Sequence, residues 1–271
     1  MYKLVDLRNL DWDTNPTNTN GTGGTYLKAI SGSGTDRLYY KLSNYDSFLG
    51  QTIGYEAVFE LIAYRLAKLL GLNCLKYNLV RALINVQGAE QESYICISKE
   101  FKKHNERKIT LEDCYNIKSG HNESLFNFID RIGIRRQIDE MMLFDFLIIN
   151  RDRHGANIEL LKSPEGIRMT PLFDNGLALI APLGQNLDSI KAFRADTDVT
   201  ANNYIGSRSL QYNLSLISTP VIVNKLNFNT LKRQLFYNLS EVLPKEVRDK
   251  IYEIITVRYR YAINQKVLVT R

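Results

Sequence analysis

The sequence predicts an α+β fold of two lobes, a small β-rich N-terminal lobe and a larger helical C-terminal lobe. Short β-prone runs and one amphipathic helix occupy residues 26–98, and the chain beyond residue 110 is mostly helical in character. The chain length is consistent with this fold, because 271 residues, 44% of them hydrophobic, can bury a sizeable core in one large domain or in two unequal lobes. The lobes are expected to meet near residues 99–110, which divides the chain into 1–104 and 105–271.

The N-terminal lobe is expected to begin with a hairpin. Residues 26–30 and 38–42 are β-prone, and the sequence Ser-Gly-Ser-Gly-Thr-Asp at 31–36 between them is a strong turn signal. Residues 18–25, directly before the first strand, contain mainly glycine, threonine and asparagine and predict a flexible loop. A loop followed by two antiparallel strands is therefore predicted.

A helix and two further strands complete the predicted N-terminal lobe. Residues 56–70 carry apolar side chains at helical spacing. Gly71 is suited to end this helix, because glycine readily adopts the left-handed conformation found just after a helix. Further β-prone runs follow at 77–86 and 93–98.

The C-terminal lobe is predicted to be helical, with one long polar segment. Residues 134–149, 231–243 and 245–263 each have the composition and spacing of a helix. Residues 182–218 are polar, rich in asparagine and serine, and too long for an ordinary connection. This segment is predicted to be either a functional loop or an irregular insertion.

Charge and cysteine content narrow the class of protein. The net charge is +6 and the pI is near 9.1, but the densest basic run, at 99–108, is interrupted by acidic residues. No recognition helix is evident, so a nucleic-acid partner is not expected.

Cys74, Cys96 and Cys114 form no C-x-x-C pair, which disfavours zinc and a disulfide framework. Because the sequence has no secretory signal and no membrane-spanning run, a cytoplasmic protein without membrane contact is expected.

The segment after the long helix at 134–149 carries the candidate chemistry. Its sequence at 150–157 is Asn-Arg-Asp-Arg-His-Gly-Ala-Asn, and Phe-Asp-Asn-Gly follows after a predicted hairpin. Phosphoryl transfer needs a carboxylate that orients the attacking hydroxyl and oxygen ligands that hold magnesium on the phosphates. We assign Asp152 as the base and Asn157 and Asp174 as the magnesium ligands.

The other half of such a site must hold the nucleotide. Lys41 is an isolated cation in the apolar strand at 38–42, where its ammonium can contact the α- and β-phosphates. A carboxylate on the following helix, Glu60 or Glu56, is expected to pair with Lys41 and fix its position. The loop before the first strand can bring backbone N–H groups onto phosphate. The candidate glycines of this loop are Gly21, Gly23 and Gly24.

These motifs resemble segments of one kinase family. Asn-x-Asp-Arg-His-x-x-Asn followed by Phe-Asp-x-Gly resembles the catalytic and metal-binding segments of HipA-family kinases, and phosphoinositide kinases share the Asp-Arg-His-x-x-Asn part. The run at 60–72 resembles the HipA-family helix in which a glutamate lies seven residues before the alanine of Leu-Ala-Lys. Counting back from Ala67 identifies Glu60 as that residue. Residues 97–101 resemble the family's segment between the lobes, where backbone groups meet adenine. The expected nucleotide contacts of this segment are Lys99, Glu100 and Phe101.

The resemblance implies a bilobal protein-kinase-like fold and an ATP- and magnesium-dependent serine/threonine protein kinase. It also implies a protein substrate with a Ser or Thr acceptor and an antitoxin or regulatory protein as a partner. Full-length members have an additional N-terminal subdomain, and this chain begins close to the predicted nucleotide loop. It is therefore expected to be a short form of the family.

The resemblance also implies autophosphorylation. HipA-like kinases phosphorylate one of their own serines in the region of the nucleotide loop, and the candidate acceptors here are Thr19, Thr22 and Thr25. A phosphate in this loop would repel the phosphates of ATP and weaken nucleotide binding. The alternative is that these threonines only satisfy backbone groups of the loop.

Each of these residues has a structural interpretation when taken alone. Asp-Asn-Gly is an ordinary tight-turn sequence, and a single lysine in a strand is commonly an edge charge. His154 is expected to pack or hydrogen-bond within its own loop. The order of glycine loop, lysine, helix glutamate, aspartate, asparagine and Asp-x-Gly along one chain favours the kinase interpretation. Two alternatives stay open, a kinase that acts on a lipid or small molecule and a catalytically inactive nucleotide-binding module.

Overall fold

The computed structural model describes residues 2–13 and 26–271. Strands predominate before residue 110 of this part of the chain, together with a long helix, and helices predominate beyond it. None of the helices in the described ranges is long and apolar enough to cross a membrane. The predicted α+β class is confirmed.

The N-terminal part of the molecule is built on a mixed sheet. The first seven strands are β1 Leu4–Asp6, β2 Lys28–Ser31, β3 Leu38–Leu42, β4 Tyr45–Asp46, β5 Gln51–Thr52, β6 Tyr77–Val86 and β7 Ala89–Lys99. Within the described residues, five of them form one sheet in the order β1-β6-β7-β3-β2, in which β1 and β6 are parallel and the other neighbours antiparallel. The predicted hairpin is the pair β2–β3, and its register places Lys28 opposite Lys41.

Helix α1, Glu56–Leu70, packs against β6 and β7 through a largely apolar face. It covers the predicted residues and ends at Gly71, whose φ of 77° is left-handed and whose N–H donates to the carbonyl of Lys68. Two acidic residues of α1, Glu56 and Glu60, are buried. Because a buried carboxylate is costly without partners, both must be bound by polar groups of neighbouring elements.

The remaining strands and helices follow β7. The strands are β8 Arg107–Thr110, β9 Asp152–Arg153, β10 Glu159–Ser163, β11 Gly166–Met169, β12 Asn202–Asn203, β13 Val221–Val223 and β14 Leu268–Thr270. The helices are α2 Leu111–Lys118, α3 Leu125–Arg131, α4 Arg135–Ile148, α5 Leu187–Ala192, α6 Leu210–Leu214, α7 Phe228–Leu235 and α8 Lys245–Asn264.

Helix α4 is the central helix of this second part. It is almost wholly buried from Met141 to its end and packs against α6 and α8. The chain leaves α4 through Ile149, which has a left-handed φ of 53°, and enters β9 at once. Strands β10 and β11 form the predicted hairpin, and β8 adds to its other edge. The buried end of α4 and this hairpin hold the two ends of the candidate catalytic segment.

One prediction of secondary structure is wrong. Residues 231–243 do not form one helix, because α7 ends at Leu235 and Asn238 has a left-handed φ of 56°. The apolar spacing that suggested a longer helix comes from Leu239 and Leu243, which are buried in the same core from the turns that follow. Residues 182–218 contain the short elements α5, β12 and α6, and that this segment is a functional loop or an irregular insertion stays a prediction. The division at 104/105, which falls between β7 and β8, stays a prediction.

Candidate active site

A cleft lies between the mixed sheet and the segments that follow α4. It has a volume of about 510 Å³, and side chains of β2, β3, β6 and β7 form one wall while residues 152–159 and 173–174 form the other. The sequence-predicted residues that line it are Lys41, Lys99, Glu100, Phe101, Asp152, Asn157 and Asp174. The fold therefore collects residues from distant parts of the chain around one cavity.

Lys41 on β3 connects the two walls of the cleft. Its Nζ lies 2.6 Å from Oε1 of Glu60 on α1 and 2.8 Å from Oδ1 of Asp174. Burial opposes the charge on the ammonium, but the carboxylates of Asp174 and Glu60 outweigh burial and raise the pKa of Lys41 well above its ordinary value. Lys41 is therefore a cation at neutral pH.

Asp174 lies in a turn after β11 and has a left-handed φ of 56°. Burial alone would raise its pKa, but Lys41 and Lys28 hold the pKa of this carboxyl well below its usual range. The next residue, Asn175, donates its main-chain N–H to Oε2 of Glu60 at 3.0 Å. Glu60 therefore fixes both Lys41 and the turn that carries Asp174.

Glu56, the alternative partner of Lys41, binds other groups. Its Oε2 accepts the main-chain N–H of Asn44 at 2.9 Å, and its Oε1 lies 3.4 Å from the hydroxyl of Tyr26. A side chain at position 176 would meet the Cβ of Glu56, which a glycine there avoids. Of the two glutamates, Glu60 is the one that forms the ion pair with Lys41.

Asp152, the predicted base, begins strand β9. Its main-chain oxygen accepts a hydrogen bond from Nδ2 of Asn157 at 2.9 Å. Its carboxylate lies between two polar side chains, with Oδ1 3.3 Å from Nδ2 of Asn202 and Oδ2 3.8 Å from Nε2 of His154. The side chain of Asp152 thus has a defined position within the cleft.

Asn202 was not identified from the sequence. It belongs to β12, which pairs with β9 in parallel and places Asn202 beside Asp152. The main-chain N–H of Asn202 donates to the carbonyl of Arg151 at 2.7 Å. Because β12 lies in the polar segment at 182–218, far along the chain from Asp152, no local pattern could have indicated the contact.

Arg153 is a second residue that the sequence did not single out. Its guanidinium is buried and makes a two-point ion pair with Asp145 of α4, with Nε and Nη2 2.9 and 2.8 Å from the carboxylate oxygens. The same group donates to the carbonyls of Phe173 and Asn157 and to Oδ1 of Asn175. Arg153 therefore ties α4, the segment at 152–157 and the turn of Asp174 together. The sequence signal for Arg153 was its position between Asp152 and His154 in the Asp-Arg-His motif.

Lys28 on β2 is a second cation of the cleft. Its Nζ lies 3.9 Å from Oδ2 of Asp174, and the antiparallel register sets it directly opposite Lys41. Burial lowers the pKa of Lys28, and Asp174 opposes this shift. The register of the predicted hairpin could have found this residue, because side chains opposite each other on paired strands point to the same face.

The segment predicted to meet adenine has internal hydrogen bonds. The N–H of Glu100 donates to the carbonyl of Arg37 at 2.9 Å, and the N–H groups of Phe101 and Lys102 each donate to Oε1 of Glu100 at 3.0 Å. The Glu100 carboxylate also accepts the hydroxyl of Tyr39 at 2.8 Å. The side chain of Lys99 is directed to Asp36, at 2.8 Å. The N–H groups of Phe101 and Lys102 are thus bound by the Glu100 carboxylate.

The donor set in the cleft suits magnesium. Asn157 uses its Nδ2 for the bond to the backbone, so its carboxamide oxygen is the atom of that side chain suited to a cation. Asp174 contributes carboxylate oxygens in the same cleft, and magnesium prefers such oxygen ligands. Clusters of three or more His, Cys, Asp or Glu side chains suited to a metal are absent from residues 2–13 and 26–271.

The predicted nucleotide loop cannot be compared with the structure. Gly21, Gly23 and Gly24 lie outside the described residues, and so do Thr19, Thr22 and Thr25.

The mixed sheet, helix α1 and the cleft define a kinase-like fold. The structure is similar to the proinflammatory kinase CtkA from Helicobacter pylori, with a TM-score of 0.59 and 15% sequence identity over 97% of this chain and 99% of that chain. It is also similar to HipA in the Shewanella oneidensis toxin–antitoxin complex of HipA, HipB and operator DNA, with a TM-score of 0.44 and 17% identity over 94% of this chain and 59% of that chain. No family model and no curated protein matches the sequence.

At this identity the likeness to CtkA shows the fold alone. The predicted bilobal protein-kinase-like fold is confirmed.

Proposed function

We propose that this chain is an ATP- and magnesium-dependent phosphotransferase, a serine/threonine protein kinase of the HipA-like type. The observation that carries the proposal is the bridge from Glu60 through Lys41 to Asp174, in the cleft that also contains Asp152 and Asn157. A buried lysine held between a helix carboxylate and a turn carboxylate is the arrangement that binds nucleotide phosphates beside a metal.

The proposed roles follow from the chemistry of each side chain. Lys41, with Lys28 beside it, binds the phosphates of the nucleotide, and Asn157 and Asp174 hold magnesium. Bound magnesium neutralises charge on the phosphates during transfer. Asp152 accepts the proton of the acceptor hydroxyl, and Asn202 keeps its carboxylate oriented toward that hydroxyl.

The purine is proposed to bind beside Glu100 and Phe101. The aromatic rings of Phe101 and Phe173 lie 6.1 Å apart at this end of the cleft and offer an apolar surface for a base. The Glu100 side chain must turn away before the N–H groups of Phe101 and Lys102 can bind a ring nitrogen. Replacement of this carboxylate by an uncharged side chain should therefore strengthen nucleotide binding.

The contact of the Glu100 carboxylate with the N–H groups of Phe101 and Lys102 favours a second candidate function, that of a catalytically inactive nucleotide-binding module. A chain whose base-binding donors are bound by its own carboxylate could have lost turnover. Against this, the predicted base, metal ligands and lysine all lie in one cleft.

Incubation of the purified chain with γ-labelled ATP and generic protein acceptors tests the proposal. We expect magnesium-dependent transfer to serine or threonine that is lost with EDTA. Nucleotide binding without transfer would support the inactive module, and transfer only to a lipid or small molecule would replace the acceptor class. The absence of both nucleotide binding and transfer would refute the proposal.

Three further statements belong to this proposal. A regulatory or antitoxin protein as partner and autophosphorylation at Thr19, Thr22 or Thr25 rest on the motif resemblance, and a cytoplasmic location rests on the sequence features given above. Mass spectrometry after incubation with magnesium and ATP tests the third, and an active preparation without phosphate in this loop would remove it.

A further inference from the structure

A second groove lies on the outer face of α1, away from the cleft. It runs between α1 and the end of α7 and has a volume of about 750 Å³. The residues that line it are Arg65, Lys68, Leu69, Arg233, Gln234 and Tyr237. On a helix with 3.6 residues per turn, Leu69 points about 180° away from Glu60, so the groove and the cleft are on different faces of α1.

The groove is positively charged without compensating acids. Three of its lining residues, Arg65, Lys68 and Arg233, are cations, and none of the lining residues is acidic. Across residues 2–13 and 26–271, these three form no ion pair with a carboxylate, whereas the neighbouring Lys232 is paired with Asp249. Uncompensated cations that share one groove attract an anionic ligand.

The groove also offers fixed apolar contacts. Arg65 donates from Nη1 to the carbonyls of Leu235 and Tyr237 at 2.7 and 3.0 Å, so its guanidinium is held at the end of α7. Tyr237 is 63% exposed, and Leu69 beside it is half-buried. Tyrosine and arginine, both present in this groove, are among the residue types that dominate protein-binding hot spots.

We propose that this groove docks an acidic peptide segment of a partner protein. Its carboxylates would pair with Lys68 and Arg233, and an apolar side chain would pack on Tyr237 and Leu69. A peptide fits better than a nucleic acid, because three cations around an apolar floor are fewer than a phosphate backbone requires. The proposal does not depend on phosphotransfer by the cleft.

Fluorescence anisotropy with a labelled acidic peptide, Glu-Glu-Asp-Leu-Glu-Phe-Glu-Asp, tests the proposal on the full chain. The double variant Lys68→Glu/Arg233→Glu should bind the peptide at least about tenfold more weakly. The matched control, Lys118→Glu/Lys162→Glu, reverses two exposed cations outside the groove and should bind within about twofold of the unchanged chain. Arg65 is left unchanged because it holds the end of α7.

A second variant keeps the test decisive if the double reversal impairs folding. Tyr237→Ala removes an exposed ring, should leave the melting temperature unchanged, and should weaken peptide binding at least about threefold. A peptide with Gln and Asn in place of Glu and Asp should not bind.

Several outcomes would overturn the proposal. Absence of acidic-peptide binding to the unchanged chain would do so, and so would equal losses in the groove and control variants, which would indicate general attraction to net positive charge. Tighter, groove-dependent binding of a single-stranded oligonucleotide would assign the groove to nucleic acid instead.

Discussion

Lys41 and Asp174 form a direct ion pair, with 2.8 Å between Nζ and Oδ1. Under the proposed function these side chains have different partners during transfer, because Lys41 binds phosphate and Asp174 binds magnesium. Glu60 and Asp174 take two of the three N–H donors of the Lys41 ammonium, which leaves the third to bind phosphate. Glu60 lies 2.6 Å from the Lys41 ammonium and holds it in place.

The first prediction concerns the metal ligand. Asp174→Asn should reduce magnesium-dependent transfer at least about a hundredfold, because a neutral amide binds the cation far more weakly than a carboxylate. Transfer measured over a range of magnesium concentrations checks this. The control is Asp188→Asn, which changes an exposed aspartate of α5 and should have no effect. Normal magnesium dependence in Asp174→Asn would remove Asp174 from the metal site.

The second prediction concerns the pair of Lys41 and Glu60. In a double-mutant cycle with Lys41→Met and Glu60→Gln, the free energies of nucleotide binding should be non-additive by about 1–3 kcal/mol, because each side chain acts through the other. Isothermal titration with ATP and magnesium measures the four affinities. Glu56→Gln combined with Lys41→Met is the matched control and should be additive. Additive effects for Glu60 would show that its bond to Lys41 has no part in binding.

Sequence reasoning found the individual side chains better than their partners. It predicted α1 over the observed residues, and the resemblance to the HipA-family helix implied Glu60 by its spacing to Ala67. These are local features, which periodicity and motif spacing record directly. Lys28 was missed although the hairpin was predicted. The register of that hairpin sets Lys28 directly opposite Lys41. Asn202 could not be predicted, because the pairing of two-residue strands far apart in the chain leaves no periodic signal.

The third prediction concerns the base. Asp152→Asn should lower kcat at least about a hundredfold and leave nucleotide affinity nearly unchanged, because the carboxylate acts on the acceptor hydroxyl and not on the nucleotide. Steady-state kinetics together with titration of ATP separates the two effects. A loss of affinity with normal turnover of the bound fraction would make Asp152 a ligand or a structural residue.

The fourth prediction concerns Asn202 as a positioning residue for Asp152. Asn202→Ala should lower kcat about three- to tenfold with little change in KM for ATP, because it removes the hydrogen bond to Oδ1 of Asp152. Asn202→Asp should be worse, since a second carboxylate beside Asp152 repels its carboxylate and displaces it from the acceptor hydroxyl. Steady-state kinetics of both variants measure kcat and KM separately. A kcat equal to that of the unchanged chain in both variants would show that the contact has no catalytic role.

The last prediction concerns stability and the buried pair of Arg153 and Asp145. Removal of one partner from a buried ion pair leaves an uncompensated charge, so Arg153→Met should lower the free energy of unfolding by about 3–5 kcal/mol. The matched control is the exposed pair of Arg136 and Glu140 at i,i+4 spacing, where Arg136→Met should cost about 0.5 kcal/mol or less. Urea denaturation followed by circular dichroism measures both.

The double variant Arg153→Met/Asp145→Leu extends this stability test. It should be less destabilised than the sum of its single variants, because no unpaired charge remains in the core. It still loses the donors that hold Phe173, Asn157 and Asn175, so its stability should not return fully. A cost for Arg153→Met as small as that of Arg136→Met would mean that α4 and the turn of Asp174 are held together by apolar packing alone.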